Sequence, residues 1–298
     1  MNINRRSFLK TGAITGAGIM FGGNKLLASL IQESSNFRVV RGNVGVYSER
    51  GGTIGWYLSD DAVVVVDSQF PDTAANMIVE LKKKTSGKID VLFNTHHHGD
   101  HTSGNFYLKD FTKSIVASED ALRLQKANYG SGENAAKQAY ADATFKESWK
   151  LNIGDETISA RHLKAAHTGG DAVLHFEKTN VAHMGDLVFN GVFPYIDIDN
   201  GECNIPGWIV NLEQHLNYFD NDTMFIFGHG KSITGSKKEL NNMKVYFESI
   251  LDFVSKQRAA GKSDEEIANS ESIPGYEDMM EAWPGARKMN LEGALRFL

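Results

Sequence analysis

The sequence predicts an α/β fold, because strand-like and helix-like segments alternate along it. Residues 62–66 read Ala-Val-Val-Val-Val, which is typical of a strand that is buried on both faces. A helical pattern from Pro71 to Lys84 follows this run, and a second apolar strand, Lys88 to Asn94, comes next. The order strand, helix, strand is the signature of an α/β fold.

Composition and charge exclude several classes of protein. The 298 residues are 41% hydrophobic, enough to form a substantial core in one large domain or two small ones. The formal charge is −6, and the first 28 residues carry four basic residues and no acidic ones, so the remainder carries −10. This acidity disfavours binding to nucleic acid. Cys203 is the only cysteine, so a metal site must use nitrogen and oxygen ligands.

The first 28 residues are typical of an export signal. Arg5 and Arg6 precede Ser-Phe-Leu-Lys, and a weakly apolar, Gly-rich run from Thr11 to Gly23 follows. This pattern resembles a twin-arginine signal, which implies that an already folded protein is exported to the periplasm or otherwise out of the cytoplasm. The apolar run is too short for a stable membrane span, so we expect removal near Ala28 rather than a membrane anchor. The alternative is a disordered basic N-terminus.

The rest of the chain shows no internal repeat and no low-complexity linker, so we predict one domain over residues 29–298 with a C-terminal helical extension. Its first strands, Phe37 to Val46 and Thr53 to Leu58, alternate around the turn Gly51-Gly52. Two interpretations of this hairpin are open. It is either a mobile flap that carries Trp56 and Tyr57, or a simple hairpin whose aromatic residues lie in the core.

Further strands and helices follow the same alternation. A polar segment, Tyr129 to Ser148, is expected to be a partly helical excursion on the surface without chemistry. The remaining predicted strands are Ser114–Ala117, Glu156–Leu163, Ala172–Phe176 and Val181–Met184, and the remaining predicted helices are 118–128, Pro206–Tyr218, Ser236–Ala260 and two short ones after Ser263 and Gly275.

Four potential metal ligands are concentrated in one stretch after the strand that ends at Asn94. In an extended segment side chains alternate, so His96 and His98 project to one side, and a turn at Gly99 swings Asp100 and His101 toward the same point. Imidazole and carboxylate groups together suit zinc. By the same spacing His97 is expected to point away from the metals. The alternative is a solvated loop that is rich in histidine.

Three further candidates, His167, Asp186 and His229, follow other strands and have glycine neighbours that permit tight loops. A lone histidine is more often structural than metal-binding, but the set as a whole favours a site. Asp67 ends the buried valine strand and is either a helix cap or a partner of a metal ligand. The histidines without a partner motif are interpreted as strand or helix residues: His162, His175, His183 and His215.

The ordered set of these residues resembles the five motifs of the metallo-β-lactamase-fold hydrolases. The resemblance implies an αβ/βα sandwich, in which two mixed β-sheets lie face to face with helices on the outer faces and metals at one edge. It places one metal on His96, His98 and His167. A second metal would lie on Asp100, His101 and His229. Asp186 would bridge the two ions, and Asp67 would orient a ligand.

A bridging carboxylate at Asp186 is similar to the glyoxalase II and lactonase-like branch. We therefore expect an exported binuclear zinc hydrolase with two Zn²⁺ ions, iron or manganese being the alternatives. A metal-bridged hydroxide would attack an ester-, lactone-, thioester- or amide-like bond of a small molecule. Asp100 would hold the hydroxide, while Tyr195 or His183 would donate to the developing oxyanion. Alternatively, Tyr195 packs and His183 is a strand residue.

Two other functions are compatible with the sequence. One is a mononuclear iron oxidoreductase similar to persulfide dioxygenases, and the other is a periplasmic metal-binding accessory protein without turnover. A small-molecule substrate is expected, and neither nucleic acid nor a stable membrane span is expected. The sequence leaves the oligomeric state open.

Overall fold

Two β-sheets form the centre of the molecule, and helices cover their outer faces. The computed structural model describes residues 36–298, and every structural statement below concerns this part of the chain. The strands are β1 (Phe37–Arg41), β2 (Val44–Tyr47), β3 (Ile54–Leu58), β4 (Val63–Val66), β5 (Ile89–Phe93), β6 (Thr112–Ser118), β7 (Ala143–Phe145), β8 (Ser148–Ile153), β9 (Glu156–His162), β10 (Ala172–Phe176), β11 (Val181–His183), β12 (Phe189–Asn190), β13 (Met224–Ile226), β14 (His229–Gly230) and β15 (Thr234–Gly235).

The helices differ widely in length. They are α1 (Pro71–Lys82), α2 (Gly99–Thr102), α3 (Asn105–Leu108), α4 (Glu119–Tyr129), α5 (Ile205–Tyr218), α6 (Lys237–Ala259), α7 (Asp264–Ala268) and α8 (Ala286–Leu295). Three short 3-10 turns lie between them, at Lys109–Phe111, Gly132–Lys137 and Gly185–Leu187.

Both large sheets are mixed, as predicted. The first has the strand order β1-β2-β3-β4-β5-β6-β7, and its pairs are antiparallel up to β4 and parallel from β4 to β7. The second has the order β15-β13-β11-β10-β9-β8, in which β11 and β13 are parallel and the other pairs antiparallel. A small parallel pair, β12 and β14, stands apart.

The core between the sheets explains the continuous valine run. Val64 and Val66 face the second sheet and pack in one cluster with Leu174 and Phe176, and all four side chains are fully buried. Val65 points the other way, into the cluster under α1. Since burying a Val, Leu or Phe side chain contributes roughly 1.5–3 kcal/mol, a strand with two buried faces gains from every residue.

The outer layers complete the αβ/βα sandwich. On the first sheet, α1 buries Met77 and Leu81 against the outer face. On the second sheet, α5 and α6 pack together, with the rings of Trp208 and Phe247 4.5 Å apart, over the outward-facing Phe225. The α/β class and the sandwich architecture are therefore confirmed.

Several predicted elements differ in detail. The segment 37–46 is two strands rather than one, because Gly42 adopts φ 55° and reverses the chain. The second short helix expected after Gly275 begins only at Ala286. The segment 129–148 contributes the edge strand β7.

The hairpin around Gly51-Gly52 is not an aromatic flap. Trp56 and Tyr57 are 3% and 2% exposed, and Trp56 stacks on Phe37 at a centroid distance of 4.6 Å. The interpretation as a hairpin with core aromatic residues is therefore confirmed.

The predicted signal segment, residues 1–28, lies outside the described residues. Within residues 36–298, none of the helices combines the length and the apolar character needed to cross a bilayer.

Candidate metal centre

Parallel strand pairs bring the candidate ligands to one edge of the sandwich. In the first sheet, β4 and β5 are parallel with Val66 opposite Phe93, so Asp67 and the histidine stretch emerge side by side. In the second sheet, β11 and β13 are parallel, and the segments with Asp186 and His229 follow their carboxyl ends. His167 lies in the loop between β9 and β10.

The first group of ligand atoms comprises His96, His98, His167 and Asp186, all buried, with one ligand atom of each residue within 4.8 Å of the others. His98 Nδ1 lies 2.9 Å from His167 Nε2, and Asp186 Oδ2 lies 3.5 Å from His167 Nε2 and 3.8 Å from His96 Nε2. Four ligands about 2.1 Å from a central ion lie roughly 3.4 Å from one another in a tetrahedron. The group thus has the dimensions of a four-coordinate metal site.

The second group comprises Asp100, His101 and His229, also within 4.8 Å of one another. His229 Nε2 lies 3.0 Å from Asp100 Oδ2 and 3.4 Å from His101 Nε2. Asp100 and His101 reach this point because the chain turns after His98 into the four-residue helix α2, which contains both residues. The turn at Gly99 therefore brings Asp100 and His101 toward the other ligands, as the sequence predicts.

Asp186 lies between the two groups. Its Oδ1 is 3.1 Å from His101 Nε2, whereas its Oδ2 is 3.4 Å from His229 Nε2 as well as close to the imidazoles of the first group. A single carboxylate thus reaches ligand nitrogens of both groups. This is the placement that a bridging ligand needs.

Asp67 supports both groups from behind. Its Oδ1 accepts a hydrogen bond from the Thr95 N–H at 2.8 Å, and its Oδ2 accepts from the Thr95 hydroxyl and from His101 Nδ1, both at 2.7 Å. The Thr95 hydroxyl lies 3.0 Å from His96 Nδ1. Asp67 has φ 63°, a left-handed conformation that Asp tolerates better than most residues. Backbone strain of this kind is typical of functional sites.

Burial keeps the imidazoles of the first group neutral. Desolvation lowers the pKa of His96 well below its usual range and lowers the pKa of both His98 and His167 to about 3. A neutral imidazole nitrogen has a free lone pair, which is the form that binds a metal.

The second group is held by opposite charges. Burial opposes the charged form of His229, but Asp186 and Asp100 outweigh it and raise its pKa to about 10. Burial likewise opposes ionisation of Asp100, yet His101 and His229 lower its pKa to about 2. The carboxylates are therefore anionic at neutral pH and ready to balance cationic charge.

The residues fit divalent cations. Within residues 36–298, no group hydrogen-bonds to His96 Nε2, although this nitrogen is fully buried and directed at the cluster. A buried polar atom without a partner is costly, and a coordinated cation would satisfy it. The donors are imidazole nitrogens and carboxylate oxygens only, a set that suits zinc or another borderline metal.

Two other predicted residues have different environments. Tyr195 is 38% exposed, and its ring packs edge-on against His98 at 5.5 Å. His183 is fully buried; its Nε2 donates to the Thr53 carbonyl and its Nδ1 accepts the Gly185 N–H. With both nitrogens bound to the backbone, His183 does not reach a substrate, so the role of oxyanion donor is corrected to that of a strand residue.

His97 belongs to neither ligand group, in line with its expected orientation. Its ring is 1% exposed and lies 6.4 Å from the ring of Tyr129. Burial lowers the pKa of His97 to about 3, so it is a neutral packing residue.

A cavity of about 370 Å³ opens over the two groups. Its floor consists of metal-ligand candidates, and its walls are mainly aromatic and aliphatic. The lining residues are His98, Gly99, Asp100, Tyr129, Asp186, Phe189, Val192, Tyr195, His229, Ala282 and Trp283. The sequence does not indicate Tyr129, Phe189 or Trp283 as site residues. Tyr129 and Trp283 lie in segments without a motif, and Phe189, although close to Asp186, is an apolar residue that reads as core.

The hairpin turn forms the side of the site that faces His101. The Gly52 N–H donates to the Asp100 carbonyl at 3.2 Å, and the Gln69 side-chain amide donates to the Gly52 carbonyl at 2.7 Å. A Cβ at Gly52 would overlap the His101 ring. Glycine is therefore required at this point by the close approach of the backbone to a ligand.

Comparison with known proteins agrees with this geometry. The family model described as the metallo-beta-lactamase superfamily matches residues 48–246. The hydroxyacylglutathione hydrolase of Bartonella henselae is 25% identical over 157 residues, which are 52% of this chain and 54% of that protein. That of Mesorhizobium japonicum is 29% identical over 107 residues, 36% of this chain and 37% of that protein. The chain thus spans about half the length, or less, of these relatives.

Solved structures share the fold at low sequence identity. A sec-alkylsulfatase from Pseudomonas sp. superposes with a TM-score of 0.68 at 13% identity, covering 88% of this chain and 50% of that one. A metallo-beta-lactamase from Hirschia baltica superposes with a TM-score of 0.58 at 17% identity, covering 71% of this chain and 96% of that one. At such identities the likeness concerns the fold alone.

Proposed function

Because the chain belongs to the metallo-β-lactamase superfamily, we propose that it is an exported binuclear zinc hydrolase of a small molecule with an ester-, lactone-, thioester- or amide-like bond. The observation that carries this proposal is the position of Asp186 between two ligand groups. One group alone would suit a single ion, but a shared carboxylate favours a pair. The names of the related hydroxyacylglutathione hydrolases support hydrolysis.

The proposed ligand set assigns each side chain a role. His96, His98 and His167 would hold one cation and Asp100, His101 and His229 the other, with Asp186 between them. When bound, the cations would supply Lewis acidity and make water a nucleophile near neutral pH.

Asp100 is the proposed proton acceptor. It lines the cavity, and its Oδ2 is in contact with His229 Nε2 at 3.0 Å. From this position the carboxylate would orient the attacking water and take up its proton.

Tyr195 is the proposed donor to the oxygen on which negative charge develops. Burial and the nearby carboxylates of Asp197 and Asp100 raise the pKa of its hydroxyl, so the proton is retained at neutral pH. A protonated hydroxyl at the cavity wall is a suitable hydrogen-bond donor to an oxyanion.

Export remains part of the proposal on the strength of the twin-arginine pattern at residues 5–10. Folding before export would allow metal loading in the cytoplasm, with the mature enzyme acting in the periplasm. Fractionation of cells that produce the full chain tests this point. A variant with Arg5 and Arg6 replaced by Lys is expected to stay in the cytoplasm, and a wild-type protein found only there would contradict export.

Metal analysis followed by a substrate screen tests the catalytic proposal. We expect two zinc ions per chain by elemental analysis and turnover of a lactone, thioester or aryl ester, with nitrocefin and a phosphodiester in the same panel. Asp186→Ala is expected to lose both metal and turnover, while His175→Gln, outside both ligand groups, serves as the matched histidine control. Less than one zinc per chain together with an active Asp186→Ala variant would overturn the proposal.

The same measurements separate the two competing functions. Bound iron with oxygen consumption on a persulfide donor would indicate the mononuclear oxidoreductase. Reversible metal exchange without turnover of any substrate in the panel would indicate the accessory protein.

A further inference from the structure

The walls of the cavity are formed by aromatic and aliphatic side chains from three parts of the chain. Tyr129 ends α4, Phe189 and Val192 follow the turn that carries Asp186, and Trp283 precedes α8. The rings of Tyr195 and Trp283 pack edge-on at 5.8 Å and form one corner of the opening. These surfaces lie above the ligand groups and offer contact area to whatever part of a substrate projects away from the metals.

Two of the walls are fixed rather than free to move aside. Phe189 is 3% exposed and stacks on the His229 ring at 5.4 Å with an angle of 13° between the planes. The Tyr129 hydroxyl accepts the Gly99 N–H at 3.2 Å, which ties α4 to the loop between His98 and Asp100. The apolar shape of the cavity is therefore built into the same contacts that position the ligands.

No lysine or arginine is among the cavity-lining residues of the described chain. The cations next to the lining segments have partners elsewhere. Arg287 pairs with Glu281 at 3.1 Å, and Lys231 donates to the Asp278 carbonyl at 3.0 Å. The chain beyond residue 28 also carries a formal charge of −10. An anionic group held against these walls, away from the ligand groups at the floor, would lose water without gaining contact with a lysine or arginine side chain.

We propose that the substrate of this site carries an uncharged apolar or aromatic group beyond the bond that is cleaved, held by Tyr195, Trp283 and Phe189, and no carboxylate there. This inference rests on the proposed hydrolysis for the position of the reacting bond. Glutathione thioesters, which place two carboxylates beyond the thioester, are consequently poor substrates here. Aryl or alkyl esters, thioesters and lactones fit the cavity.

A matched series of three substrates tests the distal charge. Phenyl acetate, 4-methylphenyl acetate and 4-carboxyphenyl acetate present the same ester with different groups at the far end. We expect kcat/KM of the zinc-loaded enzyme for the methyl compound to exceed that for the carboxylate at least tenfold, since an unpaired buried charge is disfavoured. A glutathione thioester is expected to rank with the carboxylate.

Two substitutions at residue 282 test whether the missing cation causes the discrimination. Ala282 is exposed at the rim and lines the cavity, so a long side chain is accommodated there. Ala282→Arg is expected to raise the ratio of kcat/KM for the carboxylate over the methyl compound about tenfold relative to Ala282→Gln, which adds length without charge. Equal ratios in the two variants would contradict the role of charge.

Binding measured without turnover keeps the inference testable if no ester is hydrolysed. N-(4-methylphenyl)acetamide and N-(4-carboxyphenyl)acetamide have the same two distal groups on a stable amide. The neutral amide is expected to quench Trp283 fluorescence and to bind at least tenfold more tightly, with Trp283→Phe as the control that removes the signal. The same variant would show a higher KM for 4-methylphenyl acetate and a nearly unchanged kcat.

The outcomes distinguish the two proposals. If no ester is hydrolysed but the neutral amide binds selectively, the proposed hydrolysis is contradicted and the inferred ligand class is supported. Hydrolysis of the carboxylate compounds or of the glutathione thioester as fast as the neutral esters would leave hydrolysis standing and overturn the inference. Equal binding of the two amides would overturn it as well.

Discussion

The substitution Asp67→Asn is expected to weaken metal binding at both ligand groups although it changes neither volume nor backbone. Asn, like Asp, tolerates the left-handed conformation at φ 63°. The change therefore removes only the negative charge and one acceptor oxygen. What it alters is the proton position on the His101 imidazole, which Asp67 contacts directly, and on the His96 imidazole, which Asp67 reaches through the Thr95 hydroxyl.

The hydrogen bonds of Asp67 decide the direction of the effect. All its partners, the Thr95 N–H, the Thr95 hydroxyl and His101 Nδ1, are donors to the carboxylate. In the Asp67→Asn variant, the new amide nitrogen can take either of two positions. In the first it faces the Thr95 N–H, so that two donors meet and no hydrogen bond forms; in the second it donates to His101 Nδ1. In the second arrangement His101 must carry its proton on Nε2, the atom that lies 3.1 Å from Asp186 and is the proposed metal ligand.

The magnitude follows from the loss of one hydrogen bond to a charged group, about 1.5–3 kcal/mol. Since about 1.4 kcal/mol corresponds to tenfold in affinity, we expect metal affinity to fall about 10- to 100-fold, the usual range for partners of metal-binding histidines. Competition with a chromophoric chelator measures the affinity of each ion separately.

Thr95→Val provides the control that separates the two groups. It removes the hydroxyl between Asp67 and His96 Nδ1 but leaves the bond from His101 to Asp67 in place. Its effect is expected to be smaller and confined to the ion held by His96. Wild-type affinity for both ions in Asp67→Asn would refute the proposed control of the proton position.

Three further predictions concern other contacts. Gly52→Ala should displace the His101 ring and weaken binding of the second ion at least tenfold in the chelator assay; unchanged affinity would contradict the close approach. Cys203 is 3% exposed, and burial raises the pKa of its thiol, so a thiol reagent at pH 8 should modify no cysteine in the folded protein and one after unfolding; rapid modification of the folded protein would contradict this burial. Burial lowers the pKa of His215 to about 4, below the usual 6.5, so between these values the unfolded state binds more protons and stability falls as the pH falls. Urea unfolding of chelator-treated protein measures this fall in the free energy of unfolding between pH 6.5 and 4. In His215→Leu the fall should be smaller than in the wild type by up to about 1.4 kcal/mol per pH unit. Equal slopes in the two proteins would contradict the buried neutral form of His215.

The ligand groups could be predicted from the sequence because local features determine their placement. The valine run and the apolar strand before Asn94 are strongly patterned, and parallel strands have their carboxyl ends at one edge. Elementary rules therefore predict that Asp67 and the segment from His96 to His101 emerge at one edge of the sheet, and in the structure the two segments lie side by side. His167 follows a less regular strand end, so its role as a metal ligand is predicted only from the resemblance to a family.

The aromatic walls could not be predicted in the same way. Tyr129 lies at the boundary of a polar segment without a motif, and Trp283 lies in the C-terminal part of the chain, which likewise contains no motif. Each reaches the cavity through contacts between residues far apart in sequence, such as the packing of Tyr195 on Trp283. Hydrophobic pattern identifies which residues are apolar, but it does not state which tertiary surface they line.

His183 shows the opposite failure, in which a plausible residue type suggested a role that packing excludes. It lies at the end of a strand, precedes Asp186 by three positions and has a suitable side chain, so a catalytic donor was one of two interpretations. Its two nitrogens are instead used by the Thr53 carbonyl and the Gly185 N–H. These bonds tie the hairpin of the first sheet to the turn that carries Asp186. His183 therefore contributes to the site by joining two sheets at the edge where the ligands meet, a role that only three-dimensional contacts reveal.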